Sequence, residues 1–96
     1  MSEAAPYRLR LFVAGSSARS QDMIHALRRT CRQGLGPATE LEVVDIFQQP
    51  DLAERNGVVA APTLVRLSPA PVRRLVGDLS DPERVLRAMA LGPGAA

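Results

Sequence analysis

Tryptophan is missing from this chain, and its aromatic side chains are limited to two Phe and one Tyr in 96 residues. A core therefore has to be built from Leu, Val, Ile and Ala, and the aromatic platforms on which single-stranded nucleic acid stacks are lacking. Lysine is missing too: the 12 basic residues are all arginine, set against 10 acids for a net charge of +2. So small an excess does not supply the concentrated basic footprint of a nucleic-acid binder. The lone Cys31 has no partner for an intramolecular disulfide, and with the single His25 it cannot assemble a metal cluster. A free thiol fits a reducing interior. No apolar run is long enough for a membrane helix, and Met1 to Pro6 lacks the basic-then-apolar pattern of a signal peptide. The reading is a cytoplasmic protein with no cofactor, no metal, no nucleic acid and no membrane partner.

What the chain does have is one domain's worth of alternating patterns. At this length folding buries roughly 60–65% of the unfolded surface, enough for one modest core. Residues 7–14, YRLRLFVA, set Leu9, Leu11 and Val13 against Arg8, Arg10 and Phe12 and predict a strand, broken by Gly15-Ser16-Ser17. Ile24, Leu27 and Cys31 then recur at helical spacing from about Ala18 to Gln33, with Asp22 early, Arg28, Arg29 and Arg32 late, and Gly34 as the stop. LEVVDIF (41–47) predicts a second strand, and its short apolar run a central position. Strand, helix, strand implies a parallel crossover.

Pro50 opens a short helix with Asp51 in its first turn and Gly57 as a C-terminal cap. VVAAPTLVRL (58–67) and VRRLV (72–76) predict two strands, antiparallel because Ser68-Pro69-Ala70-Pro71 is a short connection. Ser80 at a cap position with Glu83 three residues on introduces a last helix carrying Val85, Leu86 and Met89, ended by Gly92-Pro93. The order β-α-β-α-β-β-α is that of an α/β, thioredoxin-like sheet with helices on both faces. The domain spans 7–91, with 1–6 and 92–96 as short ends.

In a thioredoxin-like fold the redox thiols sit where the first strand meets the first helix, where the helix N-terminus favours a thiolate. Here those positions hold Ser16, Ser17, Ala18 and Arg19, so the nucleophile is absent. Cys31 lies near the helix C-terminus on the apolar side and reads as a packing residue. His25 has no second ligand or base near it in sequence and reads as a surface residue. Asp45, at the end of the second strand, reads as an acceptor that orients the following loop. No residue is assigned a catalytic role.

Several blocks resemble the KaiB family of circadian-clock proteins: LRLFVAG at 9–15, VDI followed by P-D-L-A, then A-P-T-L, P-x-P-V-R-R-L and G-D-L-S, in register over about residues 7–91. The resemblance implies a non-catalytic regulator that binds the ring-shaped ATPase KaiC. It also implies exchange with other ring-binding partners, such as KaiA or a KaiB-like sensory histidine kinase. The alternative function is a stand-alone KaiB-like module for sensory or stress signalling, associated with a histidine kinase rather than a clock. The family is known for two folds: a ground state, β-α-β-β-α-α-β, that assembles into homotetramers, and the thioredoxin-like state. Pro62 matches the position of the thioredoxin-like cis proline, and with Gly77, Asp78, Ala88 and Ala90 it is expected to set the fold. Ala88 and Ala90 replace the Gly and Asp typical of clock members. Partner binding is expected from Asp22, Glu42, Arg73 and Arg74. Asp22 and Glu42 stand where the family carries basic residues, and Arg73 and Arg74 on one strand must point to opposite faces.

Overall fold

A computed structural model describes residues 6–90; residues 1–5 and 91–96, which hold the Gly92-Pro93 stop, the last residue of the expected domain and nearly all of the expected ends 1–6 and 92–96, lie outside the described residues. The element order is β1 (Arg8–Val13), α1 (Ala18–Leu35), β2 (Glu40–Asp45), α2 (Pro50–Arg55), β3 (Thr63–Ser68), β4 (Arg73–Val76) and α3 (Pro82–Met89). This is the thioredoxin-like order. The four strands lie in the order β2-β1-β3-β4, with β1 parallel to β2 and antiparallel to β3, and β3 antiparallel to β4.

The alternation of β1 divides the core in two. Leu9, Leu11 and Val13 face one side, where they pack with Ile24, Leu27 and Cys31 of α1, Leu64, Leu75 and Leu79, and Val85 and Met89 of α3. Phe12 faces the other side with Val44, Val65 and Ala53 of α2. Helices thus cover both faces, as the pattern predicts. Arg66 is buried in β3, 1% exposed, in the middle of otherwise apolar residues.

Several boundaries differ from the sequence reading, each for a local reason. β2 is an edge strand and not a central one: Glu40 and Glu42 interrupt its apolar run and remain exposed. β3 begins at Thr63, five residues later than the apolar stretch at 58 suggests. Val58 is taken by the end of α2, where its N–H reaches Ala53 O at 2.9 Å while Gly57 N–H reaches Glu54 O at 3.0 Å, the paired bonds of a Schellman turn. Gly57 supplies the positive φ of +67° that this turn requires. The adjacent Val59 is 98% exposed, so its apolar side chain contributes nothing to a strand core.

Gly34 does not stop α1. It lies inside the helix, where a Cβ would come within 2.4 and 2.6 Å of the two Leu86 Cδ atoms, and Gly36 at φ +121° ends the helix instead. The cap of α3 is Asp81 rather than Ser80. Its carboxylate accepts from Glu83 N at 3.0 Å and Arg84 N at 3.4 Å, with Pro82 at the first helical position. Peptide bonds preceding Pro62, Pro69 and Pro71 are cis.

Candidate partner-binding groove

The first half of α1 starts from Ser17, whose side chain accepts from Ser20 N at 3.1 Å. Burying Ile24 and Leu27 against the sheet leaves Arg19, Asp22, Met23, Ala26 and Thr30 along the flank of the helix. Across from them runs the segment from Gly77 to Pro82. Gly77 holds φ at +103° and donates its N–H to Pro62 O at 3.1 Å, which ties the β4–α3 connection to the start of β3. Asp78 Oδ1 accepts from Ser80 N at 2.9 Å. Ser80, through its side chain and then its backbone N–H, lowers the Asp78 pKa below the ordinary carboxylate value, with a smaller attraction from Arg84. Between the two walls lies a mostly apolar groove of about 610 Å³, floored by Met23, Leu27, Pro62 and Leu79. Asp22, Pro62, Gly77 and Asp78, singled out separately in the sequence, all line it.

A second set of charges lies on the α2 side of the sheet. In the β1–β2 register Arg8 stands opposite Glu40 and Arg10 opposite Glu42. Arg10 Nε donates to Glu42 Oε1 at 2.7 Å, and its Nη1 reaches Asn56 Oδ1 at 3.4 Å. Asn56 in turn caps its own helix through Nδ2 to Leu52 O at 2.8 Å. From the opposite edge, Arg74 donates to Gly57 O at 3.2 Å and to Asn56 O. Glu42 and Arg74 therefore belong to one chain of contacts that crosses the sheet beneath the end of α2. Arg73 pairs with Arg66 in the β3–β4 register, while Arg74 pairs with Val65, so the two arginines do take opposite faces. Arg73 is exposed and enters no ion pair among the described residues. Ala88 and Ala90 lie on and just after the last turn of α3 and do not line the groove.

Cys31 is 1% exposed, and burial pushes its thiol from the ordinary 9.0 up to about 11, which removes the thiolate at neutral pH. His25 is exposed, as expected. Asp45 Oδ1 accepts from Gly15 N at 3.1 Å and Phe47 N at 2.9 Å, joining the turns after β1 and β2, which is the orienting role read from its position. Arg10 and Arg66 were missed. Arg10 was legible in principle, because R-L-R on β1 lies in register with E-L-E on β2. Arg66 carries only the weak signal of a charge inside an apolar run. Among the described residues there is no group of acids, Cys and His that could hold a metal, and no helix long and apolar enough to cross a membrane.

A family model described as the KaiB domain matches residues 10–91. A protein called circadian clock oscillator protein KaiB, from a Synechococcus species, is 43% identical over 86 residues, 90% of this chain and 78% of that protein. Circadian clock protein KaiB3 from a Synechocystis species is 38% identical over 85 residues, 88% of this chain and 83% of that protein. Among solved structures, the N-terminal domain of Synechococcus elongatus SasA superposes with a TM-score of 0.66 at 24% identity, covering 91% of this chain and 82% of that one. Thioredoxin 1 of Thermosipho africanus gives 0.67 at 16% identity, covering 84% and 88%. At those identities the two structures speak for the fold alone.

Proposed function

This chain belongs to the KaiB family, and from that premise we propose that it is a non-catalytic protein-binding regulator that docks on a KaiC-like ring ATPase in the cytoplasm and modulates its activity or its exchange of partners. The observation that carries the reading is the match over residues 10–91, together with about 40% identity to proteins named as circadian clock oscillator components. The buried, un-ionised Cys31 supports the non-catalytic part, since disulfide exchange needs an accessible thiolate.

Docking uses α1, β2 and the β4 edge, where Asp22, Glu42, Arg73 and Arg74 present charges of both signs. Arg73 is the cleanest probe of the contact, because reversing Arg74 also removes its bonds to the end of α2. Calorimetry with a homologous ring ATPase and ATP tests the reading: binding should weaken with added salt, and Arg73→Glu should slow association. A ring that still binds its own KaiB but shows no heat with this protein would end the proposal. Co-purification from the native cell with ATP present identifies which ring is retained.

A further inference from the structure

β4 forms one edge of the sheet, and its register with β3 shows which of its backbone groups are open. Gly77 N–H bonds to Pro62 O at 3.1 Å, one step beyond the Thr63–Val76 pair, and hydrogen-bonded pairs recur at every second residue of an antiparallel ladder. Leu75 and Arg73 therefore bond inward to Leu64 and Arg66. Arg74 and Val76 turn their N–H and C=O outward, and among the described residues these groups have no partner.

The side chains along this edge give the charge of what would cover it. Arg73 stands directly opposite Arg66 on the α3 face of the sheet, a like-charge pair that costs stability unless an anion joins it. Arg66 is buried with Nε unpartnered, Arg73 is exposed, and neither forms an ion pair among the described residues. The nearest acid along the chain, Asp78, lies beyond β4 with Arg84 beside it, whose Nη1 reaches Asp78 O at 3.2 Å, so it adds no free negative charge to the edge. Val76, on the α2 face, is 50% exposed.

A second copy fits this edge poorly. Antiparallel pairing of β4 with itself would bring Arg73 and Arg74 of both copies into one seam. The acids of the other edge strand, Glu40 and Glu42, lie on the α2 face, where Arg8 and Arg10 already hold them.

We propose that the free edge of β4 accepts an extended segment of a partner protein, which continues the sheet on the Arg74 and Val76 backbone and sets a glutamate or aspartate against Arg73 and an aliphatic side chain against Val76. The assignment rests on the protein-binding reading above, at the β4 edge it uses, but not on the partner being a ring ATPase.

The test is an amide NMR titration of the whole protein with the capped peptide Gly-Ser-Val-Glu-Thr-Glu-Val-Ser-Gly, whose central strand alternates alike in either direction. One control has both glutamates replaced by lysine, and another has the threonine replaced by proline. The glutamate peptide should shift the amides of Arg74 and Val76 and slow their hydrogen exchange, while that of Leu75, already bonded to β3, changes less. The lysine version should bind at least about fivefold more weakly. The proline version, which lacks a ladder donor, should give no shifts. In Arg73→Glu, at an exposed position, the preference should invert, with the lysine peptide binding more tightly than the glutamate one.

Shifts centred elsewhere, shifts that survive the proline, no shifts at all, or a glutamate preference that Arg73→Glu leaves unchanged would overturn the assignment. So would self-association of the wild type that protects the Arg74 and Val76 amides, which would make a second copy the occupant. Ring binding measured by calorimetry is a separate readout: peptide binding without ring binding removes the ATPase reading and leaves the edge, and the reverse result removes the edge alone.

Discussion

The guanidinium of Arg66 donates to the backbone oxygen of Met89 at 2.6 Å, linking the middle of β3 to the last helical residue of α3, 23 positions away. A second donor reaches Pro71 O at 2.7 Å, and among the described residues Nε has no partner. Among the described residues no carboxylate pairs with this buried side chain, so its charge is offset there by the carbonyl end of a helix and one loop carbonyl.

Truncation and apolar replacement of Arg66 should therefore differ. Arg66→Ala leaves a cavity and two unpaired carbonyls and should cost about 3 kcal/mol or more. Arg66→Met loses the same bonds but fills the space and removes a buried charge without a counter-ion, so it should cost at least about 1 kcal/mol less. Urea unfolding measures both. Hydrogen exchange of the amides at residues 87–90 should rise in both variants, because the Met89 carbonyl that fixes the helix end is released.

Leu86 of α3 packs against Gly34 of α1, in the space a Cβ there would fill. Gly34→Ala gains about 1 kcal/mol of helix propensity but puts a methyl where the Leu86 Cδ atoms stand, at an overpacking cost of about 1–3 kcal/mol. The net change should be a loss of under about 2 kcal/mol. In a Leu86→Ala background the clash is gone, and the same substitution should stabilise by up to about 1 kcal/mol. A double-mutant cycle by denaturant unfolding gives the coupling directly, and additive single effects would show that Leu86 simply turns aside.

The Cys31 thiol makes stability fall at high pH. Its pKa in the folded state is pushed by burial to about 11, above the ordinary 9.0. Below 9 both states hold the proton and the thiol is without effect on the balance. Between about 9 and 11 the unfolded chain loses the proton while the folded one keeps it, so unfolding becomes progressively easier. Cys31→Ala should remove that part of the decline, read as a flatter denaturation midpoint over the same range. Disulfide reagents should label wild type only as fast as it unfolds.

How much of this was legible follows from range. The order of elements, helices on both faces of the sheet and the burial of Cys31 came from short periodicities that one element carries within itself. The orienting role of Asp45 and the opposite faces of Arg73 and Arg74 came the same way. The errors came from packing partners and turn geometry that periodicity does not show. Gly34 looks like a stop until Leu86 is packed against it, and Val58 and Val59 look like strand until the Schellman turn of α2 claims the first and solvent the second. β2 looked central because its apolar centre outweighs Glu40 and Glu42, whose exposure depends on β1 lying on one side only. The groove was half legible: Asp22, Pro62, Gly77 and Asp78 stood out one by one, but the packing of α1 against Leu79 in the shared core, and the bond from Gly77 N to Pro62 O that ties the second wall to the start of β3, are visible only in the fold.

The last prediction concerns α3, whose docked state depends on residues 88 and 90. Ala88 lies within the helix and packs against the main core, so Ala88→Gly loses about 1 kcal/mol of helix propensity as well as a methyl contact. Ala90 is the C-cap, with φ −71° and ψ 141°, outside the helical region. Ala90→Asp therefore incurs no helix-propensity penalty and acts only through an unfavourable charge at the carbonyl end, about 0.3–1 kcal/mol. Together they should weaken the helix by about 1.5–2 kcal/mol, with the larger share from Ala88→Gly. A shift of about 1.4 kcal/mol is tenfold in a two-state equilibrium. Backbone NMR and sedimentation of the wild type should show one species with α3 helical over 82–89. The double variant should populate a second arrangement or a larger assembly, and Ala88→Gly alone should reproduce most of that change. An effect carried equally by Ala90→Asp, or a wild type already assembled as a tetramer without this helix, would refute the account, because the helix interior would then not be where the balance is set.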